Sequence, residues 1–145
     1  MRRSISLLLV ALVVGVLALT GCGSALNPGQ TIAKFYETLQ QGDLNACYEM
    51  MSEFYKEGGG AGVKGHTQQE FEEAIEELLE HYGELKSFTI DKQEAMGTRS
   101  GTVVVTLVWT KDNVDTEETR TVATPGNKGV YKVDGAAIAI LAKED

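Results

Sequence analysis

The most informative stretch of the sequence is TVVVTLVWT, residues 102–110. Its side chains alternate between a wholly apolar set and a set of threonines and valines, and a period of two residues is that of a β-strand. The first set is Val103, Val105, Leu107 and Trp109, and the second is Thr102, Val104, Thr106, Val108 and Thr110. Because both sets are β-branched or apolar, the stretch is predicted to be a central strand of a sheet.

The segments on either side of this strand show the same period. Strands are predicted over residues 85–94, 115–123 and 130–141, with Gly135 as a bend in the last one. The connecting turns are predicted at residues 97–101, 111–113 and 125–127. A parallel crossover needs about a dozen residues or more, so these short turns predict an antiparallel sheet.

Upstream of the strands, the apolar residues recur with the period of an α-helix. A first helix is predicted from the capping sequence at residues 27–30 to Gly42, and a second, capped by Asp43, continues through Tyr55. A third runs from a capping box at residues 67–70 to Gly83. The apolar faces are Ile32, Phe35, Tyr36 and Leu39; then Leu44, Cys47, Tyr48 and Met51; then Phe71, Ile75, Leu78, Leu79 and Tyr82.

Three helices followed by four strands with short turns predict an α+β fold. The helices are expected to pack on a curved four-stranded antiparallel sheet and to cover its inner face. The glycine-rich residues 58–62 are interpreted as a linker, because no Gly-Lys-Ser/Thr follows them as a phosphate-binding loop requires.

The N-terminus has the pattern of a secretory signal: Arg2 and Arg3, then an apolar run over residues 5–19. It ends in Leu19-Thr20-Gly21-Cys22, which resembles the lipobox of bacterial lipoproteins. That resemblance implies that residues 1–21 are removed, that Cys22 is acylated, that residues 22–26 form a lipidated tether and that residues 27–145 form a single α+β domain. The alternatives are an uncleaved anchor, for which the run is short, and a plain signal peptide that leaves Cys22 as a spare thiol.

This reading predicts an exported protein, anchored by lipid to the outer face of the cell membrane or in the periplasm. Removal of residues 1–21 leaves 11 basic and 21 acidic residues, a formal charge of -10. Such a balance argues against nucleic acid as a partner and against electrostatic adhesion to anionic lipid, so the acylated Cys22 is the expected membrane link. Cys47 is the only other cysteine. It is predicted to pack as a small apolar residue, with no intramolecular disulfide.

Candidate catalytic and metal-binding residues are few. His66 and His81 are predicted to face solvent, and Asp43 is used as a helix cap. The glutamates between residues 70 and 80 lack the spacing of a calcium loop, and no Cys/His cluster suggests zinc. No catalytic residue, cofactor or metal site is therefore predicted, and the sequence favours a protein that is not an enzyme.

The order of elements resembles the nuclear-transport-factor-2-like superfamily, and most of all its small exported lipoproteins of unknown function. The resemblance rests on Phe35-Tyr36, Gly42-Asp43 and Ala46-Cys47-Tyr48, and on the late segment Tyr131-Lys132-Val133-Asp134. It implies a sheet folded into a cone, with the helices closing one end over a pocket. The last strand of the superfamily often carries Trp where this chain has Tyr131.

Within such a cone, the function predicted first is a non-catalytic binding module for a small apolar ligand, a peptide or a partner protein. The residues expected to line its pocket are Tyr36, Tyr48, Met51 and Trp109, and the alternative is that all four are simply core. The second prediction is a small hydrolase, isomerase or dehydratase that uses an acid or base in the pocket. A third is a homodimer formed through sheet faces.

Overall fold

The computed structural model describes residues 25–59, 62 and 64–141. Within these residues the helices are α1 Pro28–Gln40, α2 Leu44–Met50, α3 Glu53–Glu57 and α4 Gln68–Tyr82. The strands are β1 Glu84–Met96, β2 Ser100–Lys111, β3 Val114–Asn127 and β4 Val130–Tyr131, and a 3-10 helix follows at Gly135–Ala137. The predicted signal peptide and the predicted lipid attachment at Cys22 lie outside the described residues.

The strands form one antiparallel sheet in the order β1-β2-β3-β4, so the α+β fold class is confirmed. β2 lies in the interior of the sheet, as its sequence predicts. Its pairing with β3 is regular throughout, whereas its pairing with β1 shifts register between Leu85 and Ser87 and between Ile90 and Lys92. Such irregularities bend a strand and increase its twist, which curls the sheet around the helices.

The core lies between the inner face of this sheet and helices α1 and α4. Val103, Val105, Leu107 and Trp109 of β2 are fully buried, which is the face that the alternation predicts. The helices contribute Ile32, Phe35, Tyr36, Phe71, Ile75 and Leu78. Both predicted capping boxes are present at the starts of α1 and α4, and Cys47 is buried as a free thiol.

The second helix is interrupted, where the sequence predicts that it continues through Tyr55. Met51 and Ser52 are extended, with ψ angles of 150° and 155°. The Val133 amide donates to the Met50 carbonyl (2.9 Å), and the Ser52 amide donates to the Val133 carbonyl (2.8 Å). The Ser52 hydroxyl then accepts from the Tyr55 amide and caps α3. Backbone pairing with Val133 therefore keeps Met51 and Ser52 extended, although the spacing of the apolar residues predicts a helix there.

The end of the sheet also differs from the sequence prediction. Residues 125–127, predicted to be a turn, continue β3, and the turn is Lys128-Gly129 with φ angles of 52° and 80°. Positive φ at both central residues suits a two-residue hairpin. β4 is therefore only two residues long, not a strand over residues 130–141. The chain does bend at Gly135, where the 3-10 helix begins under the cap of Asp134.

Among the described helices, none is both long enough and apolar enough to cross a bilayer.

Candidate binding site

Two charged side chains lie on the inner face of the sheet. On β3, Glu118 and Arg120 stand opposite Leu107 and Val105 of β2, so they point toward the core. The Arg120 side chain is 1% exposed and that of Glu118 is 12% exposed. Arg120 Nη2 lies 2.5 Å from Glu118 Oε1, and Arg120 Nε donates to the same oxygen at 2.7 Å. This close ionic contact offsets part of the free energy that both groups lose when they leave water.

Aromatic side chains surround this ion pair. The Trp109 indole Nε1 donates to Glu118 Oε1 at 2.8 Å. The Tyr82 ring stacks on the Trp109 ring with a centroid distance of 5.3 Å, and its centroid lies 5.6 Å from the Arg120 guanidinium carbon. Glu118 Oε1 consequently accepts hydrogen bonds from both Trp109 and Arg120. The inner cluster, as we call it, consists of Tyr36, Tyr82, Trp109, Glu118 and Arg120.

The 3-10 helix Gly135–Ala137 closes the remaining side of the inner cluster. Arg120 Nη1 donates to the carbonyls of Ala136 (3.2 Å) and Ala137 (3.1 Å). The Tyr36 hydroxyl donates to the Ala137 carbonyl at 2.8 Å. Within the part of the chain that the structure describes, Thr124 Oγ1 is buried without a hydrogen bond, and Arg120 Nη2 meets Glu118 Oε1 as an ionic contact without hydrogen-bond geometry. The polar groups of the cluster are thus occupied mainly by one another and by the protein's own backbone.

The Tyr36 hydroxyl is held in its protonated form. Burial raises its pKa above the ordinary value for tyrosine, and the charges of Arg120 and Glu118 act on it in opposite directions. A protonated phenol at this position is a hydrogen-bond donor to Ala137, as the geometry already indicates. It is not available as a general base near neutral pH.

The four residues predicted to line a pocket lie in or against the hydrophobic core. Tyr36 and Trp109 belong to the inner cluster and are fully buried. Met51 is fully buried where it pairs with Val133. Tyr48 packs on Phe71 with ring centroids 5.6 Å apart, and its hydroxyl donates to the His66 carbonyl. The structure therefore places three of these residues in the hydrophobic core and Tyr48 against it, whereas other residues line the two hollows described below.

The histidines lie away from the ion pair, against aromatic rings. The His66 ring stacks on Tyr55 at 4.6 Å, and the exposed His81 meets the edge of Tyr82 at 4.5 Å. Among the described residues, no group of three or more His, Cys, Asp or Glu side chains could hold a metal ion. Neither histidine has a positioned acidic partner in the hydrogen bonds of the described chain.

An open groove of about 500 Å³ lies between α3 and the β3–β4 hairpin. Two of its apolar side chains are strongly exposed: Phe54 at 58% and Val130 at 53%. We call it the hairpin groove, and its lining includes Ser52, Phe54, Pro125, Asn127, Val130 and Lys132. A second hollow, of about 170 Å³, shares Val130 and Lys132 and includes Ala25 and Leu26. The hairpin groove therefore lies beside the point where the chain leads back toward Cys22.

Neither the inner cluster nor the hairpin groove was predicted from the sequence. For the cluster a signal was present, because Glu118 and Arg120 alternate in step with Val122, which is buried. For the groove there was none, because it depends on the break before α3 and on a turn at Lys128-Gly129, directly after the predicted turn at residues 125–127.

No protein-family model matches the sequence, and no curated protein matches it. Among solved structures, the chain is similar to an NTF-2-like protein of unknown function from Shewanella oneidensis MR-1. The two are 16% identical, with a TM-score of 0.49, and the match covers 72% of this chain and 88% of the other.

Proposed function

We propose that this protein is a non-catalytic binding module of the cell envelope, held at the membrane by lipid on Cys22. That the module is non-catalytic is inferred from the hydrogen bonds of the inner cluster. Its carboxylate, guanidinium and phenol are bound to one another and to the backbone of Ala136 and Ala137. The resemblance of the sequence to exported lipoproteins supports the same function.

An enzyme in this fold would need a free acid or base facing a substrate. Glu118 Oε1 already accepts from Trp109 and Arg120, and the Tyr36 hydroxyl is protonated and donates to Ala137. A general base must lie within hydrogen-bond reach of the proton that it removes. In the described chain Glu118 Oε2 accepts no hydrogen bond, but its carboxylate is paired with Arg120 and the side chain is only 12% exposed. A hydrolase, isomerase or dehydratase therefore has less support than a binding module.

The hairpin groove is the surface proposed to receive the ligand. Pockets that bind small molecules are mostly apolar, have a few polar groups and measure roughly 300–1,000 Å³. The groove combines Phe54, Pro125 and Val130 with the polar Ser52 and Lys132. Its exposed phenyl ring favours an apolar ligand, because covering such a ring stabilises a complex by about 1.5–3 kcal/mol.

Lipid attachment is tested by incorporation of radiolabelled fatty acid in the native host. The wild-type chain is expected to take up label and to fractionate with membranes, because acyl chains on Cys22 insert into the bilayer. The Cys22→Ser chain is expected to lose both properties. If Cys22→Ser keeps the label and stays in the membrane fraction to the same extent, lipid attachment at Cys22 is wrong.

Ligand binding is tested with the apolar fluorescent probe Nile red. Phe54→Asp is expected to weaken probe binding roughly tenfold or more, since it places a charge where apolar surface is covered. Val114→Asp is the matched control, because Val114 is also strongly exposed but lies at the β2–β3 turn. Equal affinities for Phe54→Asp and wild type would reject the hairpin groove as the binding surface.

A further inference from the structure

Four of the eight large apolar side chains that are exposed in the described residues lie at one end of the molecule. Leu26 and Val130 line the same small hollow, and Phe54 and Val130 line the hairpin groove. Met96 ends β1 and is 71% exposed. The turn after it is bonded to the β3–β4 hairpin, since the Tyr131 hydroxyl donates to the Gly97 carbonyl at 2.7 Å. These four side chains therefore belong to a single surface.

The same end carries most of the described lysines and arginines that form no ion pair with a carboxylate. In the described part of the chain, five cations lie within 4 Å of a carboxylate: Lys56, Lys64, Lys86, Lys92 and Arg120. Lys111 and Lys132 instead bond to backbone carbonyls, those of Glu80 and Glu49 respectively. The lysines and arginines of the described residues that form no ion pair are therefore Lys34, Arg99, Lys111, Lys128 and Lys132.

Four of these five cations, all except Lys111, lie on the surface already described. Lys34 and Lys132 line the small hollow with Leu26. Arg99 belongs to the β1–β2 turn, and its carbonyl accepts from the Gly126 amide at 2.7 Å. Lys128 is in the β3–β4 turn, directly before Gly129, whose amide donates to the Thr98 carbonyl. We call this surface the tether face; it comprises Leu26, Lys34, Phe54, Met96, Arg99, Lys128, Val130 and Lys132.

Carboxylates near the tether face are partly neutralised by their own partners. Glu53, which borders the hairpin groove, pairs with Lys56 at 3.4 Å, and Glu94, two residues before Met96, pairs with Lys92 at 2.7 Å. The chain as a whole is acidic, but its unpaired positive charge is concentrated at this end. Attraction to a charged surface depends on the local charge within about 8 Å at physiological salt, not on the net charge of the chain.

The length of the tether fixes which end meets the bilayer, and this step rests on the proposed lipid attachment at Cys22. Five residue steps separate Cys22 from Asn27, which caps α1. A fully extended chain of that length spans at most about 17 Å. Since the tether leaves the domain at Leu26, on the tether face, this face must stay close to the headgroups.

We propose that the tether face binds the surface of an anionic lipid bilayer. Its lysines and arginine contact headgroup phosphates, while Phe54 and Met96 enter the interface between headgroups and acyl chains. The hairpin groove then opens toward the lipid, so an apolar ligand reaches it from the bilayer. The formal charge of -10 that remains after the predicted removal of residues 1–21 argues against electrostatic adhesion. The local arrangement of charges on the tether face favours it.

The test places a polarity-sensitive dye on the full chain reconstituted with vesicles. Met96→Cys puts the dye on the tether face, and Val114→Cys puts it on the β2–β3 turn as a control, since both positions are exposed. The vesicles are phosphatidylcholine, with or without phosphatidylglycerol, and carry a spin-labelled lipid that quenches nearby dye. We expect the Met96 dye to shift to the blue and to be quenched on anionic vesicles, and the Val114 dye to be unchanged.

Two charge variants separate local from net charge. Replacing Lys34, Arg99, Lys128 and Lys132 with Gln is expected to abolish the Met96 signal on anionic vesicles, because each cation contributes about fivefold in affinity. Replacing the exposed Lys64, Lys86, Lys92 and Lys111 with Gln removes the same charge and is expected to preserve the signal. If both sets act alike, the tether face has no special role and the proposal is overturned.

Failure of the lipid anchor gives a different result. If the chain sediments with both vesicle types but the Met96 dye does not respond, the anchor stands and docking of the tether face is wrong. Sedimentation only with anionic vesicles, reversed by salt, supports the tether face and rejects the anchor. A chain that sediments with neither type contradicts both proposals.

Discussion

Arg120 is held almost entirely out of water, and its guanidinium contacts a carboxylate, two carbonyls and an aromatic ring. Removing two charges from water costs several kcal/mol for each ion, which a close pair with additional hydrogen bonds offsets. The pair with Glu118 is therefore weak evidence for high stability. Each charge is nevertheless needed by the other, because loss of one leaves the other buried and uncompensated.

Arg120→Met is accordingly expected to lower the free energy of unfolding by about 3–5 kcal/mol. The double variant Arg120→Met/Glu118→Leu is expected to recover most of that loss, since no isolated charge remains. Urea unfolding followed by circular dichroism measures both. Lys92→Gln, which removes an exposed ion pair with Glu94, is the control and should leave the midpoint unchanged. A single Arg120→Met variant as stable as wild type would contradict this account.

Cys47 makes the stability depend on alkaline pH. Burial, and secondarily the Asp43 charge, raises the pKa of the Cys47 thiol from 9.0 to about 12. Below pH 9 the thiol is protonated in both states, and its contribution is fully present. Above pH 9 the unfolded chain loses the proton first, so the free energy of unfolding falls until the pH reaches about 12.

Cys47→Ala should therefore show a smaller decrease in unfolding free energy between pH 9 and pH 12 than wild type. The unfolding free energy of Cys47→Ala is subtracted from that of wild type at each pH, because tyrosines and lysines titrate in both proteins. Parallel curves over this range would mean that the thiol is not perturbed by folding.

At the residue scale, alternation predicted burial well for apolar side chains and poorly for charged ones. Trp109 and Val105 are buried as their positions in residues 102–110 predict. All of residues 116–121 are polar, so polarity alone does not show that Glu118 and Arg120 share the inner face with Val122. A charge can enter a core when its partner arrives from the same strand, and spacing alone does not identify such a pair.

At the element scale, structure set by local signals was predictable, and structure set by distant contacts was not. The capping boxes of α1 and α4 involve residues three apart, so the sequence displays them directly. The break between α2 and α3 is produced by Val133, about eighty residues away. The short β4 likewise follows from a turn at Lys128-Gly129, whose sequence does not differ clearly from the preceding Pro125-Gly126-Asn127.

The β2–β3 turn offers a test of the hairpin geometry. Asp112 and Asn113 both have positive φ, of 52° and 62°, as the favoured two-residue hairpin requires. Asn113→Ala is expected to lower the free energy of unfolding by about 1 kcal/mol, because a Cβ-bearing residue without a local hydrogen bond is strained there. Asn113→Gly should stay within about 0.5 kcal/mol of wild type. Thermal unfolding of the two variants side by side gives the answer, and equal losses would refute the turn assignment.

At the scale of the whole molecule, the outer face of the sheet is the surface that a dimer would use. Thr106 on this face is bonded to Asp91 at 2.6 Å and to Thr119 at 3.0 Å. Charged side chains border it, including the Lys86–Asp115 pair. Covering this face in a dimer would remove water from these polar groups. Because the groups already bond within the same chain, they would contribute little to the free energy of dimerisation.

We therefore expect the domain to be a monomer in solution at micromolar concentration, although the sequence resemblance predicts a homodimer through sheet faces. Sedimentation equilibrium at several concentrations measures this. Val104 and Val108 are the apolar residues of β2 on the outer face, so Val104→Arg should not change the sedimentation of a monomer. If the wild type is a dimer and Val104→Arg dissociates it, the outer face is an interface. In that case the polar groups on this face must form hydrogen bonds with the second subunit, because their burial without partners would cost more than the two valines supply.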